Sequence, residues 1–167
     1  MNNRTKNLTL LALTISFALI LSFVESRIPA LVAIPGVKVG LANIAVIFAL
    51  YKFGLKEAIT VSILRIIIVS MLFGSAVSLM YSAAGAVLSL CTMVILKKLT
   101  RLSEVTVSVC GGVMHNVGQI TMASILFDTN LVIYYLPFLI FSGIFAGIAV
   151  GVASALLIKR IDLKLKK

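Results

Sequence analysis

The chain has 167 residues, enough for one domain, and 61% of them are hydrophobic, with a mean hydropathy of +1.19. Soluble domains hold roughly 45–50% apolar residues, so this composition excludes a soluble globular protein and points to an integral membrane protein. The net charge of +10 would suggest a nucleic-acid partner in a soluble chain. Here the charges sit at the ends of long apolar runs, which is the pattern of basic cytoplasmic loops and gives no reason to expect nucleic acid.

In chain order, Arg4 and Lys6 precede a first apolar run from about Leu8 to Val24. It is too long for a signal peptide and no small-residue cleavage site closes it, so it reads as a retained helix. Glu25-Ser26-Arg27 ends it, and a loop with Pro29 and Pro35 follows. The stretch Pro35-Gly36-Val37-Lys38-Val39-Gly40-Leu41-Ala42-Asn43 is a turn that carries one cation into a second helix, expected over about Val37 to Phe53. Lys38 would then sit at the helix start, with Asn43 one turn in. Gly54 makes a tight turn, and helix three runs from about Glu57 to Phe73 with Arg65 near its centre. Gly74-Ser75 leads to helix four, about Ala76 to Leu96. After Lys97, Lys98 and Arg101, helix five covers about Val105 to Phe127. Asp128-Thr129-Asn130 turns into helix six, about Leu131 to Ile158, and a basic tail closes the chain. The fold class expected is an all-α integral membrane protein with six transmembrane helices in a single domain over residues 1–167.

Six spans put both ends on one side. Twelve of the fifteen Lys and Arg residues fall on that side, with Arg27 and Lys38 on the other and Arg65 within the membrane. The positive-inside rule makes the side with the termini cytoplasmic. The expected location is therefore the cell membrane, with the Glu25–Lys38 loop, the Gly74 turn and the Asp128 turn facing outward.

Polar residues inside apolar runs are the candidates for chemistry. A mid-helix arginine costs roughly 2.5–3.5 kcal/mol on insertion scales, so Arg65 should face the bundle, either as an anion-binding group or in an ion pair with Glu25. His115, Asn116 and Gln119 lie mid-span in helix five, with His115 and Gln119 on one face. They read as a hydrogen-bonded interhelical cluster or as the lining of a pocket. Tyr81 lies in the outer half of helix four, deeper than Tyr134-Tyr135, which have the character of an interfacial belt. The residues proposed to converge on an outward-facing cavity are Lys38, Asn43, Arg65, Tyr81, His115, Asn116 and Gln119, with Glu25 beside them. Gly143, Gly147 and Gly151 form a small-residue stripe on helix six that permits close helix packing, within the chain or with another subunit. Ala12/Ser16 and Ala18/Ser22 are weaker pairs of the same kind on helix one.

No phosphate-loop motif is present, and no metal site or cofactor is expected. The five acidic residues are scattered, with no aspartate-rich pair to hold the magnesium ions of prenyl-diphosphate chemistry. Cys91 and Cys110 are far apart and do not read as a disulfide or a metal site.

The segments Pro35–Asn43 (PGVKVGLAN) and Gly111–Gln119 (GGVMHNVGQ), with Glu25-Ser26, Arg65, Tyr81-Ser82 and Tyr134–Pro137, resemble the bacterial membrane family labelled heptaprenyl diphosphate synthase component I, also called the Gx transporter family. The resemblance spans nearly the whole chain. That family is in turn similar to the substrate-binding S components of energy-coupling factor (ECF) transporters. The resemblance implies an S-component-like bundle of six helices with an outward pocket capped by the first outer loop. It also implies docking to a membrane coupling subunit with two ATPases, through a helix-one face that here carries Ala12 and Ser16. The function expected is capture of a small, anionic or amide-rich molecule from the outer side, without catalysis. The alternative is an accessory role in polyprenyl-diphosphate or quinone metabolism or in membrane electron transfer.

Overall fold

The computed structural model describes residues 3–27, 40–129 and 131–161, and every regular element among them is helical. Six α-helices follow one another: α1 (Asn3–Ser26), α2 (Asn43–Lys52), α3 (Leu55–Phe73), α4 (Ala76–Leu99), α5 (Glu104–Phe127) and α6 (Leu136–Arg160). A short 3-10 turn, Leu131–Tyr135, precedes α6, whose first turn holds Pro137, where a missing N–H does no harm. Ser75 and Ser103 start α4 and α5 by accepting hydrogen bonds from the N–H groups of Ser78 and Thr106.

Among the described residues, three stretches, Thr5–Ser26, Ala76–Leu99 and Leu131–Arg160, are long and apolar enough to cross a membrane. Lys56, Glu57 and Arg65 lower the hydropathy of α3, and the His-Asn-Gln segment lowers that of α5. The outer surface is largely apolar, and the interior mixes apolar clusters with buried polar side chains. Met71 and Phe145 expose 79% and 72% of their surface, whereas Ser62, Ser89, Ser108, Gln119 and Ser154 are buried. That inversion suits a surface bathed in hydrocarbon, where buried polar groups need partners from neighbouring helices.

Helix two departs from expectation. The sequence predicts it from Val37, but Gly40 has a φ of 90° and Leu41 and Ala42 form a turn. A left-handed glycine cannot continue an α-helix, so α2 starts at Asn43, which is its first residue and not a position one turn in. The N–H groups of Asn43, Ile44 and Ala45 find the carbonyls of Gly40, Leu41 and Ala42 at 2.9, 3.1 and 3.2 Å. With 10 residues, α2 is about 15 Å long at 1.5 Å per residue, half of the ~30 Å hydrocarbon core. The described part of the second helix therefore does not traverse the bilayer by itself.

This half-length helix is the centre of the bundle. Every residue from Asn43 to Leu50 is buried, because α1, α3 and α6 surround it. Its apolar side chains form one core with Ala18, Val61, Met93, Val107 and Val150. Its C-terminal end is closed by α4: Lys97 Nζ donates to the Leu50 carbonyl at 2.6 Å and lies 4.5 Å from the Tyr51 ring centre. Cations there complement the helix dipole. At the opposite end of the bundle, α1 and α3 meet through Phe23 and Phe73, with ring centres 5.2 Å apart. A second apolar cluster of Tyr81, Ile120, Ala123, Val132 and Leu139 fills that end.

Helix α5 is clamped on both flanks by glycines. On the α4 side, a methyl at Gly118 would come within 2.6 Å of the Ala84 carbonyl oxygen, and one at Gly111 within 2.7 Å of Met93. On the α6 side, added methyls at Gly143, Gly147 and Gly151 would meet Val113, Val109 and Val105 backbone at 3.1, 2.6 and 2.8 Å. The neighbour of the helix-six stripe is thus α5 of the same chain.

Candidate functional site

Between the two apolar clusters, at the level where α2 begins, lies a small polar cavity of about 20 Å³, room for about one water molecule. Helix α1 contributes Ser22 and Glu25, α3 contributes Arg65, Ile66, Val69 and Ser70, α4 contributes Ser82 and α5 contributes His115; Gly40 closes it. The Glu25 carboxylate accepts the Gly40 N–H. That bond joins the end of α1 to the turn that launches α2, and it places a negative charge at a helix start, where the dipole favours it. Arg65 Nη2 donates to Asn43 Oδ1 at 3.4 Å, a long contact for an N–H···O bond. The Glu25 charge acts on Arg65 electrostatically, although among the described residues no carboxylate is bonded to the guanidinium.

Close backbone approach positions the histidine. A methyl at Gly85 on α4 would fall 2.8 Å from His115 Nδ1 and 2.9 Å from the His115 carbonyl oxygen. On the other side a methyl at Gly40 would lie 3.9 Å from His115 Cδ2. The imidazole is therefore held between α4 and the turn before α2.

Of the residues singled out from the sequence, Glu25, Arg65 and His115 line this cavity and Asn43 reaches it through Arg65. Gln119, fully buried one turn along α5, has neither amide atom hydrogen-bonded. Gln119, Asn116 and Tyr81 do not line it. Asn116 donates from Nδ2 to the Leu139 carbonyl at 2.7 Å, so its amide holds α5 to α6. Tyr81 packs in the upper apolar cluster with its hydroxyl unpaired. Lys38 lies outside the described residues, as does the loop expected to cap the pocket. Ala12 and Ser16 fall on an exposed face of α1, while Ala18 and Ser22 of the same helix are buried.

Sequence reading marked Ser22 only for helix packing, missed Ser70, and missed Gly85 as the seat of His115. Serines in apolar helices are common enough to carry little signal, and a glycine's role depends on which helix it faces. Among the described residues, no three His, Cys, Asp or Glu side chains come together as they would around a metal ion. Chemically, the arrangement offers a guanidinium whose Nε has no partner beside a carboxylate already engaged with backbone. Such a group is a donor waiting for an acceptor, since a buried unpaired donor otherwise costs roughly 1–3 kcal/mol.

The family model for heptaprenyl diphosphate synthase component I matches residues 14–157. The chain belongs to that family. The matched region runs from within α1 almost to the end of α6 and so contains the whole cavity. Neither the curated proteins nor the solved structures gave a match. The family's description names one component of a synthase.

Proposed function

We propose that this member of the family is a membrane substrate-binding subunit, which takes a small molecule whose acceptor oxygen fills the one-water cavity at the start of α2, and hands it on with an energy-coupling partner. The observation that carries the reading is an unsatisfied buried donor. Arg65 lines the cavity, and its Nε is buried without a partner in an otherwise well-packed bundle. Native interiors leave few such groups unpaired, and each asks for an explanation. A bound acceptor would satisfy it. The half-length α2 supports the same reading, because helices that end inside a bundle create polar sites at membrane depth. Glu25 already balances part of the Arg65 charge, so the site suits a ligand with acceptor oxygens better than a bare anion. The exposed face of α1 with Ala12 and Ser16 is the proposed seat of a membrane coupling subunit, which would work with ATPases.

The family description favours a second reading, an accessory subunit working beside a prenyl-diphosphate synthase. One preparation separates the two. The protein is purified in mild detergent, its retained small molecules are released by denaturation and identified by mass spectrometry, and its co-purifying subunits are sequenced. The expected result is a stoichiometric compound that is lost from Arg65→Gln, while that variant still elutes as a single folded species. Retention of the compound by Arg65→Gln overturns the cavity as its site. Recovery of a cytoplasmic prenyl-synthase subunit in place of a coupling subunit establishes the second reading.

A further inference from the structure

Beside the polar cavity, α3 and α4 part to leave a groove of about 330 Å³ that opens to the outside of the bundle. These two helices touch much less extensively than α4 and α5 do. The groove is lined almost wholly by hydrocarbon, with Ile63, Ile66 and Ile67 on α3 facing Leu79, Ala83 and Val87 on α4. Ile66 borders both the groove and the cavity, and Ser82 of the cavity is the chain neighbour of Ala83 in the groove. The dry slot and the cavity that holds the unpaired Arg65 donor thus adjoin at Ile66.

The groove has the orientation of a lipid chain. On α4 it runs from Leu79 to Cys91, about 18 Å at 1.5 Å per residue, close to half of the ~30 Å core. The polar cavity lies toward the end at which α3 passes into α4, and the groove descends from there toward the middle of the bundle. A molecule with its head on Arg65 would thus carry its tail toward the bilayer midplane. The head should be neutral. Glu25 already offsets the guanidinium, and a second carboxylate would be buried without a counter-charge. A carbonyl oxygen accepts from Nε without that cost.

We infer that the α3–α4 groove and the cavity behind Ile66 form one amphipathic site for a single-chain neutral lipid with a carbonyl-bearing head, admitted sideways from the leaflet. The inference rests on the substrate-binding reading above and names the class of molecule it takes.

The test uses a monoacylglycerol with a diazirine in its chain, added to the full-length protein in nanodiscs, photolysed, and mapped by peptide mass spectrometry. Labelling is expected at Ile63, Ile66, Ala83 and Val87, saturable and displaced by unlabelled monoacylglycerol. Arg65→Gln should weaken it about tenfold, as befits one charge-assisted hydrogen bond. Val87→Trp, or Ile63→Trp on the opposite lip, should weaken it by about as much by filling the slot. Both side chains are at least half exposed, at 60% and 51%, so these variants keep the fold. Unsaturable labelling that is equal on the Phe141 and Phe145 face of α6 means annular lipid and overturns the site. Tighter binding of a diazirine fatty acid overturns the neutral head, and full labelling of Arg65→Gln overturns the role of Arg65. If labelling is unsaturable while a water-soluble compound still co-purifies in an Arg65-dependent way, the amphiphile falls and the substrate-binding reading stands. If neither is found, both fall.

Discussion

Asn116 and His115 are neighbours in the chain with opposite duties. Adjacent helical positions point about 100° apart, so one faces the cavity and the other faces α6. The Asn116 amide is bonded to the Leu139 carbonyl at 2.7 Å, which makes it interhelical glue. Asn116→Ala should lower thermal stability in detergent by about 0.6–1.7 kcal/mol, the range for such bonds between membrane helices. The co-purified compound should stay at wild-type stoichiometry. Mass spectrometry alongside a melting curve checks both, and loss of the compound with unchanged melting would return Asn116 to the site. Gly85 shows the same dependence on context from the other side. Nothing in its own sequence neighbourhood marks it, yet the imidazole of His115 occupies the space its side chain would need.

At the scale of elements, α5 and α6 are locked together along one seam. Ser108 Oγ donates to the Gly147 carbonyl at 2.8 Å, and Gly147 abuts the Val109 backbone. Gly147→Leu should force the helices apart, with an overpacking cost of about 1–3 kcal/mol. Because α5 carries His115, the same variant should also loosen ligand retention. Fluorescence-detected gel filtration after heating reads the first effect, and unchanged melting would mean that the seam parts without cost. Helix α2 gains little from its own ten residues, since helices this short are marginal alone. Its stability comes from complete burial among α1, α3 and α6 and from the Lys97 contact at its C-terminal end.

For the whole molecule, charge asymmetry predicts an orientation. Asp128 lies at the end of the bundle where α5 turns toward α6, and Lys98 lies at the opposite end in the last turn of α4. Single cysteines placed by Asp128→Cys and Lys98→Cys, in a background lacking Cys91 and Cys110, should label from opposite faces of intact cells. Asp128→Cys should react with an impermeant maleimide without lysis, and Lys98→Cys only after it. Labelling from the same face would place the cavity on the wrong side for capture from outside.

The sequence by itself determined the apolar runs long enough to cross a membrane, the all-helical class, five of the helices to within a few residues, and the family. Those properties follow from local and additive quantities: hydropathy over a window, glycine and proline punctuation, and capping serines such as Ser75 and Ser103. It also marked Glu25, Arg65 and His115, because charged and polar side chains inside apolar runs are costly wherever they end up. Only the tertiary structure decided which of the marked residues meet. The direction of the Asn116 and Tyr81 side chains, the late start of α2 behind a left-handed Gly40, and the seat of His115 on Gly85 each depend on a neighbour far away in sequence. The gap between α3 and α4 is likewise a property of two helices together. Close contact between surfaces fixes those choices, and a one-dimensional pattern holds no information about which surfaces will touch.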